Sequence, residues 1–180
     1  MKLLIASDIH GAADWCARLM DAIGAENPDR VVLLGDLLYH GPRNDLPEDY
    51  APKKVIGMLN GIAEKVIAVR GNCEAEVDQM VLPFPVLADY CLLESAGHLI
   101  YATHGHHFNE DHLPPLHPGD VLLHGHTHIP CRTLRDGVYV LNPGSVSIPK
   151  AGSWHGYMTL EDGVFTWKTL SGDVRDTLRL

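Results

Sequence analysis

The stretch KLLIASDIH, residues 2–10, decides how this chain folds. Its first five residues, Lys2 to Ala6, form a short apolar run that predicts a buried strand. Asp8 and His10, whose side chains bind metal ions in many proteins, come almost directly after that run. Open α/β sheets bind their ligands beyond the carboxyl ends of the strands. The stretch therefore predicts a buried strand with two functional residues at its end.

The first half of the chain continues with alternating helices and strands. Apolar residues at helical spacing predict helices at 14–23 and 55–63, and apolar runs predict strands at 31–34 and 65–69. A segment rich in Pro, Gly and acidic residues predicts a long loop at 39–52. This order indicates βαβ organisation with parallel strands.

The second half of the chain is rich in predicted strands. Apolar runs predict strands at 90–94, 99–103 and 120–123. Two Asp-Gly pairs, Asp136-Gly137 and Asp162-Gly163, lie between β-rich runs and predict hairpins. The predicted fold class is α/β, with two mixed β-sheets face to face and helices outside.

Composition limits the class of protein. The chain has 180 residues, 46% of them hydrophobic, so we expect a single globular domain over residues 1–180. Its formal net charge of −9 argues against a stable nucleic-acid complex. It contains four scattered cysteines, and we recognise no secretion signal and no run that would span a bilayer. We expect reduced thiols, a cytoplasmic location and no membrane partner.

Seven potential metal ligands follow the ends of predicted strands. They are Asp8, His10, Asp36, Asn72, His104, His126 and His128. Taken singly, a Gly-Asp or Gly-Asn pair is commonly a turn, and a lone histidine is commonly a surface or packing residue. Oxygen and nitrogen donors without a thiolate suit Mn, Fe, Zn and similar ions. Seven side chains are too many for one ion and about right for two with a shared carboxylate.

These motifs resemble those of the calcineurin-like metallophosphoesterase superfamily. The superfamily pattern D-x-H, G-D, G-N-[HC]-[DE], H and G-H-x-H reads here as Asp8-Ile9-His10, Gly35-Asp36, Gly71-Asn72-Cys73-Glu74, His104 and Gly125-His126-Thr127-His128. The longer runs HGPRN, AVRGNC and NPGSVSIPK, which begin at residues 40, 68 and 142, are similar to small bacterial phosphodiesterases of the YfcE type. The resemblance spans nearly the whole chain.

The resemblance implies a four-layer α/β/β/α sandwich, a homo-oligomer and a site for two divalent metal ions. By motif position, one ion takes Asp8, His10 and His128, the other takes Asn72, His104 and His126, and Asp36 bridges them. A hydroxide between the ions would then attack phosphorus, with Asn72 and His104 beside the reacting group. Mn is the expected metal, with Fe, Zn, Ni and Co as alternatives.

Three further residues are candidates for contact with the substrate. Many members of the superfamily have a histidine after the Gly-Asn pair, thought to protonate the leaving group, where this chain has Cys73. A thiol is a poorer general acid than imidazole near neutral pH, so we expect a preference for good leaving groups. With Asn72 and His104, Cys73 is a candidate catalytic residue, and a packing role beside the site is the alternative for Cys73. His106 and Arg43 are candidate substrate-binding residues, with a surface or structural role as the alternative.

The leading functional prediction is a metal-dependent phosphodiesterase acting on small organic phosphodiesters. The alternative enzyme is a nuclease or nucleotide phosphoesterase, which the acidic charge and the lack of a basic, aromatic stretch disfavour. The alternative of a different class is a non-catalytic protein-binding scaffold, because the superfamily includes a trafficking subunit with a degraded metal site. Every ligand position of this chain holds a competent donor, which disfavours that alternative.

Overall fold

Eleven β-strands and three α-helices build the fold, which a computed structural model describes over residues 1–180. The strands are β1 (Leu3–Ala6), β2 (Arg30–Leu33), β3 (Val66–Ala68), β4 (Tyr90–Ser95), β5 (His98–Thr103), β6 (Val121–Leu123), β7 (Cys131–Arg135), β8 (Val138–Asn142), β9 (Gly156–Glu161), β10 (Val164–Thr169) and β11 (Val174–Arg179). The helices are α1 (Ala13–Glu26), α2 (Pro52–Asn60) and α3 (Glu76–Gln79), and a short 3-10 helix (Ala63–Lys65) precedes β3. No helix combines the length and the apolar character needed to cross a membrane.

The strands form two mixed sheets. The six-stranded sheet has the order β11-β10-β9-β1-β2-β3, and its β1, β2 and β3 are parallel. This parallel set confirms the predicted βαβ organisation. The five-stranded sheet has the order β4-β5-β6-β8-β7, and its β5, β6 and β8 are parallel. The predicted α/β class with two mixed sheets is confirmed.

The space between the sheets is filled by apolar side chains from both of them. Ile5 and Val32 of the six-stranded sheet pack in the same buried cluster as Ile100 and Val121 of the five-stranded sheet. Because side chains alternate along a strand, the neighbouring residues of β1 and β2 point to the opposite face, toward α1 and α2. All four residues of β1 are therefore buried, as its apolar sequence predicts.

The two outer layers differ in structure. Helices α1 and α2 cover the outer face of the six-stranded sheet. The outer face of the five-stranded sheet is covered by the irregular segment 104–120, whose Phe108 and Leu116 pack against buried residues of β6 and β8. The fourth layer expected of an α/β/β/α sandwich therefore contains no helix in this chain. Three prolines, Pro114, Pro115 and Pro118, oppose a helix there, because proline lacks the backbone donor and clashes with the preceding turn.

Both predicted hairpins are confirmed. Asp136-Gly137 joins β7 to β8 and Asp162-Gly163 joins β9 to β10, and all four residues have positive φ. Such turns match the twist of the strands that they connect. Strand β11 was not predicted, because its sequence VRDTLR is polar and largely exposed on the edge of the sheet.

Candidate metal centre

The seven predicted ligands lie together at the carboxyl ends of five strands. Asp8 and His10 follow β1, Asp36 follows β2, Asn72 follows β3, His104 follows β5, and His126 and His128 follow β6. Five of these side chains are buried, whereas Asn72 is exposed and His126 is half-buried. The parallel strands of both sheets therefore deliver all seven residues to one end of the sandwich, as the sequence predicts.

Asp8, His10 and His128 form the first group of ligand atoms. The Nε2 atoms of His10 and His128 lie 3.2 Å apart, and Asp8 Oδ1 lies 3.6 Å and 3.4 Å from them. Asp8 Oδ1 is buried and has no hydrogen-bond partner in the protein. A buried carboxylate oxygen without a partner is costly, and a cation between these three side chains would satisfy it. The group therefore fits a metal ion.

Asn72, His104 and His126 form the second group. His104 Nε2 lies 3.1 Å from Asn72 Oδ1 and 3.2 Å from His126 Nδ1. Asp36 lies between the two groups, since its Oδ2 is 3.4 Å from His104 Nε2 and 3.7 Å from His10 Nε2. A single carboxylate in contact with both groups has the position that a bridging ligand requires.

Backbone carbonyls orient three of the imidazoles. The Nδ1 atoms of His10, His104 and His128 lie 2.9, 2.7 and 2.7 Å from the carbonyl oxygens of Tyr39, Leu34 and Ile148. An imidazole that donates its Nδ1–H carries its lone pair on Nε2. In all three residues Nε2 faces the centre, so the surrounding backbone selects the tautomer that ligates a metal.

Five of the predicted ligands have a strained backbone. Asp8, His10, Asp36, His126 and His128 have φ values of 59°, 50°, 55°, 65° and 61°. This left-handed conformation costs a non-glycine residue about 1–3 kcal/mol and is concentrated at functional sites. Asp and His tolerate it better than most residues do. The fold therefore maintains this strain at the residues that would hold the metals.

Glu74 supports the centre without facing it. Its carboxylate accepts hydrogen bonds from the backbone N–H groups of Asp36 (2.8 Å), Leu37 (2.7 Å) and Gly71. Burial and the neighbouring Asp36 raise the pKa of Glu74 to about 7, although the three backbone donors favour its charged form. The sequence predicts no role for Glu74, although Glu74 occupies the acidic position that ends the G-N-[HC]-[DE] motif. Glu74 ties the loops after β2 and β3 together.

The end of β8 and the segment after it hold two of the loops that carry predicted ligands. Asn142 Nδ2 donates to the carbonyl oxygen of Gly125 at 2.7 Å and to Thr127 Oγ1 at 3.1 Å. Ser145 Oγ donates to the carbonyl oxygen of Asp8 at 2.8 Å. These residues belong to the NPGSVSIPK run, for which the sequence indicated similarity but no contact with the ligand loops. They position the loops that carry Asp8, His126 and His128.

The charges of the centre suit metal binding. Burial opposes the charge of Asp8, but the neighbouring imidazoles of His10, His104 and His128 hold the pKa of Asp8 below its usual range. Burial likewise opposes the charge of His104, but the two carboxylates raise its pKa to about 9. Burial and His104 lower the pKa of His126 to about 4. Ionised carboxylates and neutral imidazoles are the forms that bind metals, and the proton on His104 is released when an ion binds.

The centre opens onto a cavity of about 280 Å³, hereafter the metal cavity. Four predicted ligands line it, Asp36, Asn72, His126 and His128. Arg43 and Lys150 also line it and are its only cationic side chains; Arg43 was a predicted contact, whereas Lys150 was not.

Of the two other residues predicted to contact the substrate, Cys73 and His106, one lines the metal cavity and the other does not. Cys73 lines the metal cavity, and its Sγ lies within 4.8 Å of ligand atoms of His10 and Asp36. Burial and the charge of Asp36 raise the pKa of this thiol well above its usual range. His106 does not line the cavity; its ring centroid lies 5.4 Å from that of His104 and 6.2 Å from that of His126. Of the two, only Cys73 faces the space where a substrate would lie.

Comparisons with known proteins agree with this geometry. A model of the calcineurin-like phosphoesterase superfamily domain matches residues 1–162. The chain is 48% identical over 166 residues to the phosphodiesterase YfcE of Escherichia coli, a match that covers 92% of this chain and 90% of that protein. It is 26% identical over 175 residues to the probable metallophosphoesterase YsnB of Bacillus subtilis, covering 92% of this chain and 88% of that protein. A solved structure of YfcE, described as a phosphoesterase from E. coli, superposes with a TM-score of 0.94 and 45% identity over 99% of this chain and 98% of that one.

Proposed function

Because the chain belongs to the calcineurin-like phosphoesterase superfamily, we propose that it is a metal-dependent phosphodiesterase that hydrolyses small organic phosphodiesters. One observation carries the proposal: two groups of ligand atoms meet at Asp36, beside a cavity that also holds two cationic side chains. The name of the 48% identical relative, a phosphodiesterase, supports the diester as the substrate class.

The proposed site holds two divalent metal ions. One ion would take Asp8, His10 and His128, the other would take Asn72, His104 and His126, and Asp36 would bridge them. When bound, two such ions activate a water for attack on phosphorus and offset the charge of the phosphoryl oxygens. The oxygen and nitrogen donors suit Mn, Fe, Zn, Ni and Co, and of these we expect Mn.

The other residues of the metal cavity act on the substrate. Arg43 and Lys150 line this cavity, and they would attract the phosphate and hold its oxygens. Asn72 lines the cavity and His104 lies behind it, with Nε2 3.1 Å from Asn72 Oδ1; as the proposed catalytic residues they would help to orient the phosphoryl group. Cys73 is a weak proton donor in this setting, so the leaving group must depart with little help from a general acid. His106 would act at most through its contact with His104.

The alternatives are less well supported. A nuclease needs a surface that tracks a nucleic-acid backbone, and this chain has a net charge of −9 with only two cations at the metal cavity. A protein-binding scaffold does not need a complete set of oriented donors at the cost of a strained backbone.

The proposal extends to organisation, location and assembly. One domain over residues 1–180 is supported by the family match to residues 1–162 and by the core that both sheets share. Four free cysteines fit a reducing cytoplasm. An exposed apolar strip on β4 and β5, formed by Tyr90, Leu92 and Leu99, offers a surface for a homo-oligomer.

Replacing the proposed bridge tests the metal site directly. In Asp36→Asn we expect both metals to be lost together and hydrolysis of bis(4-nitrophenyl) phosphate with added Mn to fall at least about 100-fold. Metal content by mass spectrometry and the rate of nitrophenolate release are the measurements. Asp136→Asn, in the β7–β8 turn, is the matched control. Full activity of Asp36→Asn, or a wild-type protein that binds no metal and cleaves neither mono- nor diesters, would refute the proposal.

A further inference from the structure

The run HGPRN, residues 40–44, forms a turn at the edge of the metal cavity, hereafter the HGPRN turn. Four of its five residues, 41–44, line that cavity. The chain enters the turn from Tyr39, whose carbonyl oxygen lies 2.9 Å from Nδ1 of the predicted ligand His10. The start of the turn is therefore fixed relative to the metal centre, and the rest of the turn determines where its side chains lie.

Gly41 lets the HGPRN turn pack directly against the site. Its φ of 82° lies in the left-handed region, which favours glycine. A Cβ atom at Gly41 would lie 3.2 Å from Cys73 Sγ and 3.3 Å from Asn44 Nδ2, and both distances are shorter than an ordinary van der Waals contact. A larger residue at this position would therefore move the turn away from the metal cavity.

The side chain of Asn44 closes the HGPRN turn. Asn44 Nδ2 donates to the carbonyl oxygen of His40 at 2.8 Å. The backbone N–H of Asn44 donates to the carbonyl oxygen of Gly41 at 3.4 Å, which is long for a hydrogen bond. These are the two hydrogen bonds in which residues 41–44 take part. The turn therefore depends mainly on the amide of Asn44.

Arg43, the residue before Asn44, carries a guanidinium group without an ionic partner. The side chain is exposed, and the ion pairs that the lysines and arginines of the protein form involve other residues. Asp45 lies only two residues further along the chain, yet it does not pair with Arg43. The backbone of the HGPRN turn, and not an ion pair, therefore sets the position of Arg43 at the metal cavity.

We propose that Asn44 is a positioning residue, which closes the HGPRN turn and so holds the Arg43 guanidinium where it binds a phosphoryl oxygen. This inference rests on the proposed function, in which Arg43 attracts the phosphate. Without the amide of Asn44, the turn keeps only the long bond to Gly41, and Arg43 is no longer confined to the cavity. A side chain that must be ordered on binding costs free energy, so the substrate would bind more weakly.

A double-mutant cycle on the Mn-loaded protein, with bis(4-nitrophenyl) phosphate as the substrate, tests this role. In Arg43→Ala we expect KM to rise about tenfold, as for the loss of a hydrogen bond to a charged group. In Asn44→Ala we expect KM to rise roughly three- to tenfold with kcat nearly unchanged, the pattern of weaker substrate binding. Because Asn44 acts through Arg43, adding Asn44→Ala to Arg43→Ala should change KM by less than about 1.5-fold.

Asn60→Ala is the matched control, because it also removes a hydrogen bond from an asparagine amide to a backbone carbonyl, that of Val81, and should keep the wild-type KM. Equilibrium dialysis should give the wild-type Mn affinity for Asn44→Ala. A fall in that affinity would show that the turn supports the whole metal centre, and an equal rise in KM with and without Arg43 would show that Asn44 acts independently of it. Either result would overturn the inference while the phosphodiesterase activity stands. No hydrolysis of the diester by the wild type would instead refute the proposed function and the inference with it.

Discussion

At the scale of the residue, ligand chemistry and backbone conformation are linked in this protein. Asp8, His10, Asp36, His126 and His128 all adopt a left-handed backbone, in short segments that leave a strand and turn sharply toward the centre. Aspartate and histidine tolerate this conformation better than β-branched residues, and they are also good metal ligands. The same residue types therefore meet both demands, which leaves few substitutions that would keep the site.

We expect Cys73 to limit the leaving groups that the proposed enzyme accepts. In Cys73→His we expect hydrolysis of esters with poor alkyl leaving groups to increase at least about tenfold, because a positioned imidazole acts as a general acid near neutral pH. Activity on aryl diesters should change little. The measurement is kcat/KM on paired alkyl and aryl phosphate esters.

Cys73→Ser, which has similar size but no useful acid, is the control for this change. An equal gain in Cys73→Ser would show that packing next to Gly41, and not proton donation, limits the reaction; Gly41 lies against the Cys73 thiol.

Glu74 contributes to stability through the hydrogen bonds of its carboxylate to three backbone donors. In Glu74→Gln the amide NH₂ must face at least one of these N–H groups, which leaves a buried donor without a partner. We expect the free energy of unfolding to fall by about 1–3 kcal/mol, measured by urea denaturation. The exposed Glu76→Gln should be within about 0.5 kcal/mol of wild type. If the two variants unfold alike, the carboxylate of Glu74 is not a structural anchor.

At the scale of the element, the site depends on parallel strands that end on one side. Strands β1, β2 and β3 of one sheet and β5 and β6 of the other each end just before a ligand. The loop between β6 and β7, which carries two predicted ligands, has no regular structure of its own, and it relies on side-chain hydrogen bonds from Asn142, the last residue of β8. The positions of the His126 and His128 side chains therefore depend on Asn142, which lies outside their loop.

Asn142→Ala tests that dependence. Loss of the amide frees the carbonyl of Gly125 and the hydroxyl of Thr127, so the loop that carries His126 and His128 loosens. We expect Mn affinity to fall roughly 10–100-fold, as for other residues that orient metal ligands, and equilibrium dialysis would measure it. The control is Asn60→Ala at the end of α2. It removes an exposed hydrogen bond from the Asn60 side chain to the carbonyl oxygen of Val81 and should leave the affinity unchanged. Wild-type affinity in Asn142→Ala would contradict the role of this residue.

At the scale of the whole molecule, the centre joins the two sheets. Asp8, His10 and Asp36 follow strands of the six-stranded sheet, whereas His104 and His128 follow strands of the five-stranded sheet. Metal ions bound between them would link the sheets at one end, in addition to the apolar core that packs between them. Removal of the metals should therefore weaken the entire fold and not only the site.

Chelation measures this contribution. A ligand present at about 100 times its dissociation constant stabilises the folded state by about 2.7 kcal/mol, so we expect EDTA to lower the Tm by roughly 5–10 °C and excess Mn to restore it. Differential scanning calorimetry is the measurement. In Asp36→Asn the Tm should no longer respond to Mn. A wild-type Tm that is the same with Mn and with EDTA would show that the metals do not bind the folded state.

The sequence by itself determined the parallel βαβ core, both hairpins and the seven potential ligands. These features have local signals: apolar runs, Asp-Gly pairs, and polar motifs placed where each strand ends. Tertiary structure alone decided that the irregular segment 104–120 covers the second sheet, that Glu74 and Asn142 hold the ligand loops, and that Lys150 lines the metal cavity while His106 does not. Each of these depends on contacts between residues distant in sequence, or on the direction in which a loop places a side chain, and neither has a local pattern to read.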